Sequence, residues 1–234
     1  MRRYAGIQAQ GLADLGVNLN FAPVVGLNHH IIRPDDRYTR IYRRAISADP
    51  DIVADVAAEY CATLWRRRVH CTLKHFPGLG RVAGDTHSAG ADLEAPMDEL
   101  ARTDWVPFRA MMNDDAVTMV GHARVVAVDR DRPASLSPSV IGGLLRGEWS
   151  YGGVLITDDV TMAAAWGSRE GAPDGSVTAI NAGMDLILVS YDPDQLYPVI
   201  AALLEAAREG RLRPDVLERS DRRLRRIARS GQLR

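Results

Sequence analysis

Ionisable side chains in this 234-residue sequence gather where predicted strands end. Residues 69–73 (VHCTL) are short and partly apolar, which predicts a buried strand, and Lys74 and His75 follow it directly. A turn rich in proline and glycine comes next, and then a glycine-flanked loop that contains Asp85 and His87. A rigid strand that holds one set of groups, beside a loop that brings in another, is a usual place for chemistry in α/β proteins.

Polar side chains also end two later strands. His122 closes the predicted strand 117–122, and Asp158 and Asp159 close the predicted strand 153–159. Because neighbouring residues of a strand point to opposite faces, only one of these two carboxylates should face a common pocket. The carboxyl ends of parallel strands meet on one face, which is the catalytic face of a (β/α)-barrel.

The elements that must position these groups alternate between strand and helix. Strands are predicted at 17–25, 69–73, 117–122, 153–159 and 184–190. Helices are predicted at about 4–15, 50–68, 97–112 (interrupted near Pro107), 138–149, 193–209 and 214–229. This alternation, with mostly apolar strands, predicts an α/β protein with a parallel sheet or barrel. We expect a single domain over residues 1–234, with a helical C-terminal part at 191–234.

Composition argues against several other classes of protein. The net charge is −1, so the overall charge gives no attraction to nucleic acid or to a membrane surface. No apolar run reaches the ~18 residues of a membrane-spanning helix, and no signal-peptide pattern follows Met1, which predicts a cytoplasmic protein. Cys61 falls in a helical pattern and Cys71 in a strand, and both are expected to be buried thiols rather than a disulfide.

Two groups of basic residues are assigned to the surface. His29 and His30 lie in an irregular polar loop, and without a matching aspartate or cysteine spacing they predict no metal site. The arginines between residues 219 and 229 are expected to form a solvated helix face. Nucleic-acid binding by these arginines is the alternative.

The segment from residue 74 to residue 87 carries a family resemblance. Residues 74–80 are KHFPGLG, and DTH follows at 85–87 after a gap of four residues. This pattern resembles the signature of glycoside hydrolase family 3 in its bacterial β-N-acetylglucosaminidase branch, KHFPG(H/T)G, four residues, then D(S/T)H. Leu79 is the one departure from it. Similar segments extend the resemblance over about residues 16–190: NFAPV (20–24), RRAISADP (43–50), DWVPF (104–108), MVGH (119–122), PASLS (133–137), LR (145–146) and AGMD (182–185).

The resemblance implies a retaining glycosidase, which needs a carboxylate that traps an oxocarbenium-like centre and a proton donor for the leaving oxygen. Asp158 matches the family's nucleophile, whereas Asp159 is expected to make structural hydrogen bonds. His87 and Asp85 match the family's acid/base pair. Imidazole has an ordinary pKa of about 6.5 and is oriented by a carboxylate, so it can give a proton and later take one. Positions expected to contact the sugar are matched by Arg44, Lys74, His75, His122 and Met162.

The activity that the resemblance implies is removal of terminal N-acetylglucosamine from peptidoglycan-type fragments. A small saccharide is the expected partner, with no cofactor, metal, nucleic acid or membrane. The implied fold is a TIM-like (β/α)-barrel that lacks its first two strands here, and Gly26 replaces an acid of the family pattern. The alternatives are a truncated, weakly active or inactive sugar-binding relative, and a β-glucosidase or phosphorylase of the same family.

Overall fold

A five-stranded parallel sheet forms the centre of the computed structural model, which describes residues 1–31, 39–82, 90–113, 116–162, 165 and 171–230. Its strands are β1 (Leu19–Asn20), β2 (His70–Phe76), β4 (Val117–Val120), β6 (Val154–Asp159) and β7 (Leu186–Leu188). They lie in the order β1-β2-β4-β6-β7. Two short strands, β3 (Ala91–Leu93) and β5 (Ala123–Val125), pair in parallel in a second sheet.

Helices connect these strands. They are α1 (Arg2–Asp14), α2 (Ile41–Arg44), α3 (Pro50–Trp65), α4 (Met97–Arg102), α5 (Val106–Met111), α6 (Ser139–Glu148, with π-type hydrogen bonding), α7 (Gly171–Ala182), α8 (Leu196–Arg208) and α9 (Pro214–Ser230). α3 begins where the sequence predicts, because the Asp49 side chain accepts hydrogen bonds from the amides of Asp51 and Ile52. Within the described ranges, no helix combines the length and the apolar character needed to cross a bilayer.

Both faces of the sheet are covered, which explains its nearly continuous apolar strands. On one face Phe76 packs against Phe108 and Trp105, with ring centroids 5.4 and 5.9 Å apart. On the other face α9 contributes Leu224 and Ile227, which pack against alternate residues of β4 and β6: Val117, Met119, Val154 and Ile156. Because both faces of the sheet are packed, the strand residues that can line a site are those at the carboxyl ends.

The parallel strands and their connecting helices confirm the predicted α/β, barrel-type fold class. β1 is shorter than predicted, since only Leu19 and Asn20 pair regularly, although Val24 bridges to Lys74 farther on. The helix predicted over 97–112 is divided into α4 and α5. The strands β3 and β5 were not predicted, because three residues are too few for a clear alternation pattern.

The predictions for the cysteines and for one arginine were wrong. Cys61 on α3 and Cys71 on β2 are half-buried and form a disulfide, because the helix packs back on the strand with the two Cα atoms 5.4 Å apart. Most arginines of α9 are exposed as predicted. Arg223 is the exception, since its side chain is only 12% exposed and pairs with Asp185 at 2.8 Å.

Candidate active site

A bulge in β2 brings two neighbouring side chains toward the same place. From Leu73 to Phe76, β2 advances three residues while its partner β4 advances two. Lys74 and His75 lie within this irregularity. Because a bulge interrupts the strict alternation of side chains, both can approach Asp158 of β6, which a regular strand would not allow.

Asp158 is the carboxylate around which the ionisable groups gather. Its Oδ1 accepts a hydrogen bond from the Asp159 amide at 2.9 Å, and its Oδ2 lies 3.7 Å from Nε2 of His75. Burial raises the pKa of Asp158, but His75, His122, the Asp159 amide and Lys74 outweigh burial and hold that pKa below its ordinary value. The carboxylate is therefore ionised at neutral pH, as a nucleophile must be.

Lys74 places positive charge beside this carboxylate, and Arg44 lies near Lys74. Burial and the nearby Arg44 lower the pKa of the Lys74 ammonium, and Asp158 opposes that change. Arg44 is exposed, and its guanidinium donates to the Thr39 carbonyl at 2.9 Å. The site thus combines one carboxylate with two cationic groups that carry several hydrogen-bond donors, a set suited to sugar hydroxyls.

Asp159 faces away from this cluster and makes the structural hydrogen bonds predicted for it. One carboxylate oxygen accepts from the amide of Thr161 at 2.8 Å and from its hydroxyl at 2.6 Å. The other accepts from the amide of Tyr191, which follows β7. The register of β6 against β7 also shifts between Ile156 and Asp159. Asp159 thereby ties the end of β6 to the chain after β7 and holds the backbone beside Asp158.

His122 also holds the backbone at the end of β6, through a hydrogen bond to Asp159. Its side chain is almost fully buried, its Nε2–H donates to the Asp159 carbonyl at 2.8 Å, and its Nδ1 lies 2.7 Å from the Ser135 hydroxyl. Because a carbonyl oxygen can only accept, Nε2 must carry the proton. A direct contact between His122 and sugar stays a prediction, while its bonds here position the end of β6.

The family to which the chain belongs follows from comparison with known proteins. The family described as Glycosyl hydrolase family 3 N terminal domain matches residues 1–228. The chain belongs to this family.

Curated relatives and a solved structure of glycoside hydrolase family 3 match most of the chain. Beta-hexosaminidase LpqI of Mycobacterium tuberculosis is 34% identical over 226 residues, which cover 94% of this chain and 56% of the relative. A Beta-hexosaminidase of Stenotrophomonas maltophilia is 38% identical over 192 residues, which cover 81% and 54%. A family 3 beta-N-acetylglucosaminidase from a Paenibacillus species superposes with a TM-score of 0.90 at 33% identity, covering 98% of this chain and 43% of that one. The chain spans just over half the length of these curated relatives.

Two departures of this family 3 chain from the family pattern are neighbours in space. A Cβ added to Gly26 would lie 3.6 Å from the amide nitrogen of Leu79, and both residues are buried. The pattern has an acid at the first position and histidine or threonine at the second. An acid or a histidine buried here would need a hydrogen-bond partner. Glycine and leucine place no polar side chain at this contact and so have no such need.

The remaining predicted site residues differ in how far the structure describes them. Asp85 and His87 fall within residues 83–89, outside the described ranges, so their acid/base role stays a prediction. Met162 is buried in the turn after β6, and its contact with sugar also stays a prediction. His30 is exposed as predicted. The surface assignment of His29 was wrong, because its side chain is 18% exposed and lies 2.7 Å from a buried aspartate.

Proposed function

We propose that this chain acts as a retaining β-N-acetylglucosaminidase with Asp158 as its nucleophile. The observation that carries the proposal is the Asp158 carboxylate at the carboxyl end of β6, with its pKa held low by groups that include His75 and Lys74 against the effect of burial. In a retaining glycosidase such a carboxylate attacks the anomeric carbon and forms a covalent glycosyl-enzyme. The relatives' names, Beta-hexosaminidase and beta-N-acetylglucosaminidase, support the substrate class.

The proton transfers are assigned to the Asp85–His87 pair on the strength of the sequence motif. His87 protonates the leaving oxygen as the bond to Asp158 forms, and later takes a proton from the water that releases the sugar. Lys74, His75 and Arg44 donate hydrogen bonds to sugar hydroxyls. Peptidoglycan-type fragments with terminal N-acetylglucosamine are the proposed substrates.

A chromogenic nitrophenyl N-acetyl-β-glucosaminide tests the nucleophile. Asp158→Ala is expected to lower kcat by about 10⁴-fold or more, because it removes the carboxylate on which the proposed glycosyl-enzyme forms. Added azide, which can attack the anomeric carbon in the emptied space, should restore part of the turnover. Asp55→Asn, an exposed acid on α3, is the matched control and should leave both kcat and KM unchanged.

Three other outcomes would contradict this proposal in different ways. Undiminished turnover by Asp158→Ala would reject the nucleophile. Saccharide binding without hydrolysis by the wild-type chain would favour a sugar-binding relative. A rate that depends on phosphate would indicate a phosphorylase.

A further inference from the structure

Asp104 is a buried carboxylate that the proposed reaction does not use. It lies in the link between α4 and α5, and its side chain has no exposed surface. One oxygen accepts a hydrogen bond from Nε2 of His29 at 2.7 Å, and the other accepts from Nε of Arg81 at 2.7 Å and from the Thr103 hydroxyl at 3.0 Å. Burial raises the pKa of Asp104, but His29 and Arg81 outweigh burial and hold that pKa below its ordinary value.

These hydrogen bonds join parts of the chain that are distant in sequence. His29 lies in the segment after β1, and Arg81 lies in the segment after β2. Arg81 also pairs with Glu99 of α4 at 2.6 Å. A single carboxylate therefore fastens two segments from the carboxyl end of the sheet to the helical layer. Because this carboxylate is fully buried, removing it would leave the Arg81 guanidinium and the His29 ring without their shared hydrogen-bond acceptor.

Two glycines after β2 pack directly on this cluster. Gly78 has a φ of +101°, and a Cβ there would lie 3.4 Å from Cβ of Asp104. A Cβ on Gly80 would collide first with the Leu27 carbonyl oxygen, and it would also lie 2.9 Å from a ring carbon of His29, closer than real side chains come. The Gly78 amide also donates to the His75 carbonyl at 2.8 Å. The glycines thus let the turn sit against Asp104 and connect it to the backbone of His75.

We propose that Asp104 is a positioning residue for the glycosidase reaction. It fixes Arg81, which precedes Asp85 by four residues and so begins the segment with the proposed acid/base pair. It also supports the turn bonded to the carbonyl of His75, the residue that meets Asp158. This inference rests on the proposed function, because positioning matters only if the segment after Arg81 supplies the proton.

The test compares two variants that each neutralise a buried carboxylate. Asp104→Asn alters the cluster described here, and Asp185→Asn alters a carboxylate at the opposite end of the sheet that is held by Arg146 and Arg223 at 2.7 and 2.8 Å. Both should lose thermal stability. Only Asp104→Asn should also lose proton donation.

Two substrates separate these effects. A dinitrophenyl N-acetyl-β-glucosaminide releases its leaving group without a proton, whereas an N-acetylglucosamine disaccharide needs one. Asp104→Asn should lower kcat/KM for the disaccharide at least about tenfold more than for the dinitrophenyl glycoside. Asp185→Asn should change both values by the same factor. Equal losses on the two substrates in Asp104→Asn would overturn the proposal.

A second pair of variants applies if Asp104→Asn does not fold. His29→Ala should show the same substrate-dependent loss, and His29→Gln should recover most of it, because the glutamine amide can still donate to Asp104. Equal behaviour of these two variants would also overturn the inference. If these substrate-dependent losses are absent while Asp158→Ala remains inactive, only the positioning role is rejected. If the wild-type chain hydrolyses neither substrate, the proposed function is rejected and this inference with it.

Discussion

Replacing Asp185 by alanine should lower the free energy of unfolding by about 3–5 kcal/mol. Asp185 directly precedes β7, and its side chain is fully buried. One oxygen accepts from Arg146 at 2.7 Å and from the Leu155 amide at 2.8 Å, and the other lies 2.8 Å from Arg223. The carboxylate therefore ties α6, β6 and α9 to the start of β7. Alanine would leave two largely buried guanidinium groups without their counter-charge.

The expected magnitude follows from which groups would be left unpaired. Hydrogen bonds to charged groups contribute about 1.5–3 kcal/mol each, so three of them set an upper limit well above the expected value. Part of the loss is offset, because Arg146 keeps its bonds to the carbonyls of Tyr151 and Gly153, and Arg223 is 12% exposed. A chain of this length loses about 2–4 °C of Tm per kcal/mol, which predicts a decrease of about 6–20 °C.

Thermal and urea unfolding followed by circular dichroism measure this effect. The matched control is Asp221→Ala on α9, where an exposed carboxylate lies 2.7 Å from Arg225. An exposed pair of this kind contributes less than about 1 kcal/mol, so the control should be close to wild type. A decrease below about 1 kcal/mol in Asp185→Ala, or equal changes in the two variants, would refute the reasoning.

Two further predictions concern the disulfide and the pH dependence of activity. Reducing the bond between Cys61 and Cys71, which are ten residues apart, should lower the free energy of unfolding by about 2–3 kcal/mol. A reductant should thus lower the Tm of the wild type but not that of the double serine variant, and an unchanged wild-type Tm would contradict the estimate. Burial raises the pKa of Asp158 and His75 lowers it, so His75→Gln should move the acidic limb of kcat/KM to higher pH, and an unmoved limb would contradict the coupling.

The low pKa of Asp158 also makes the stability of the fold depend on pH. Its folded pKa lies below the unfolded value of about 3.9, so its contribution is fully present above pH ~3.9 and is lost as the pH falls through the folded pKa. The difference in stability between wild type and His75→Gln should therefore shrink in acid, in the window below pH ~4.

The strand ends that carry the site were predictable because they depend on local pattern. Two apolar runs predict strands, and each is followed directly by a pair of ionisable residues: Lys74 and His75 after one, Asp158 and Asp159 after the other. Such a pattern places these residues at the carboxyl ends of the strands whatever the rest of the topology. The opposite orientations of the two aspartates followed from the pleat of a strand. The sequence segments that resemble the family also proved to be partners in space, since Arg146 and Asp185 come from two of them.

The remaining features depend on contacts between residues far apart in sequence. His29 and Asp104 are 75 residues apart, and nothing in the polar loop around His29 indicates that it reaches a buried carboxylate. The bulge at Lys74 and His75 is a property of strand pairing, which the pattern of a single strand does not show. The disulfide depends on how α3 packs against β2, and that orientation is likewise set by tertiary structure.

The most direct measurement traps the covalent intermediate. The chain is incubated with a fluorinated N-acetylglucosaminide that has a good leaving group. The fluorine slows both attachment and release of the sugar, whereas the good leaving group speeds attachment alone, so the covalent intermediate accumulates. Mass spectrometry of proteolytic fragments then locates the sugar. The account predicts one attached sugar residue, on the carboxylate of Asp158. Attachment to Asp159 or to any other residue, or continued hydrolysis without attachment, would contradict it.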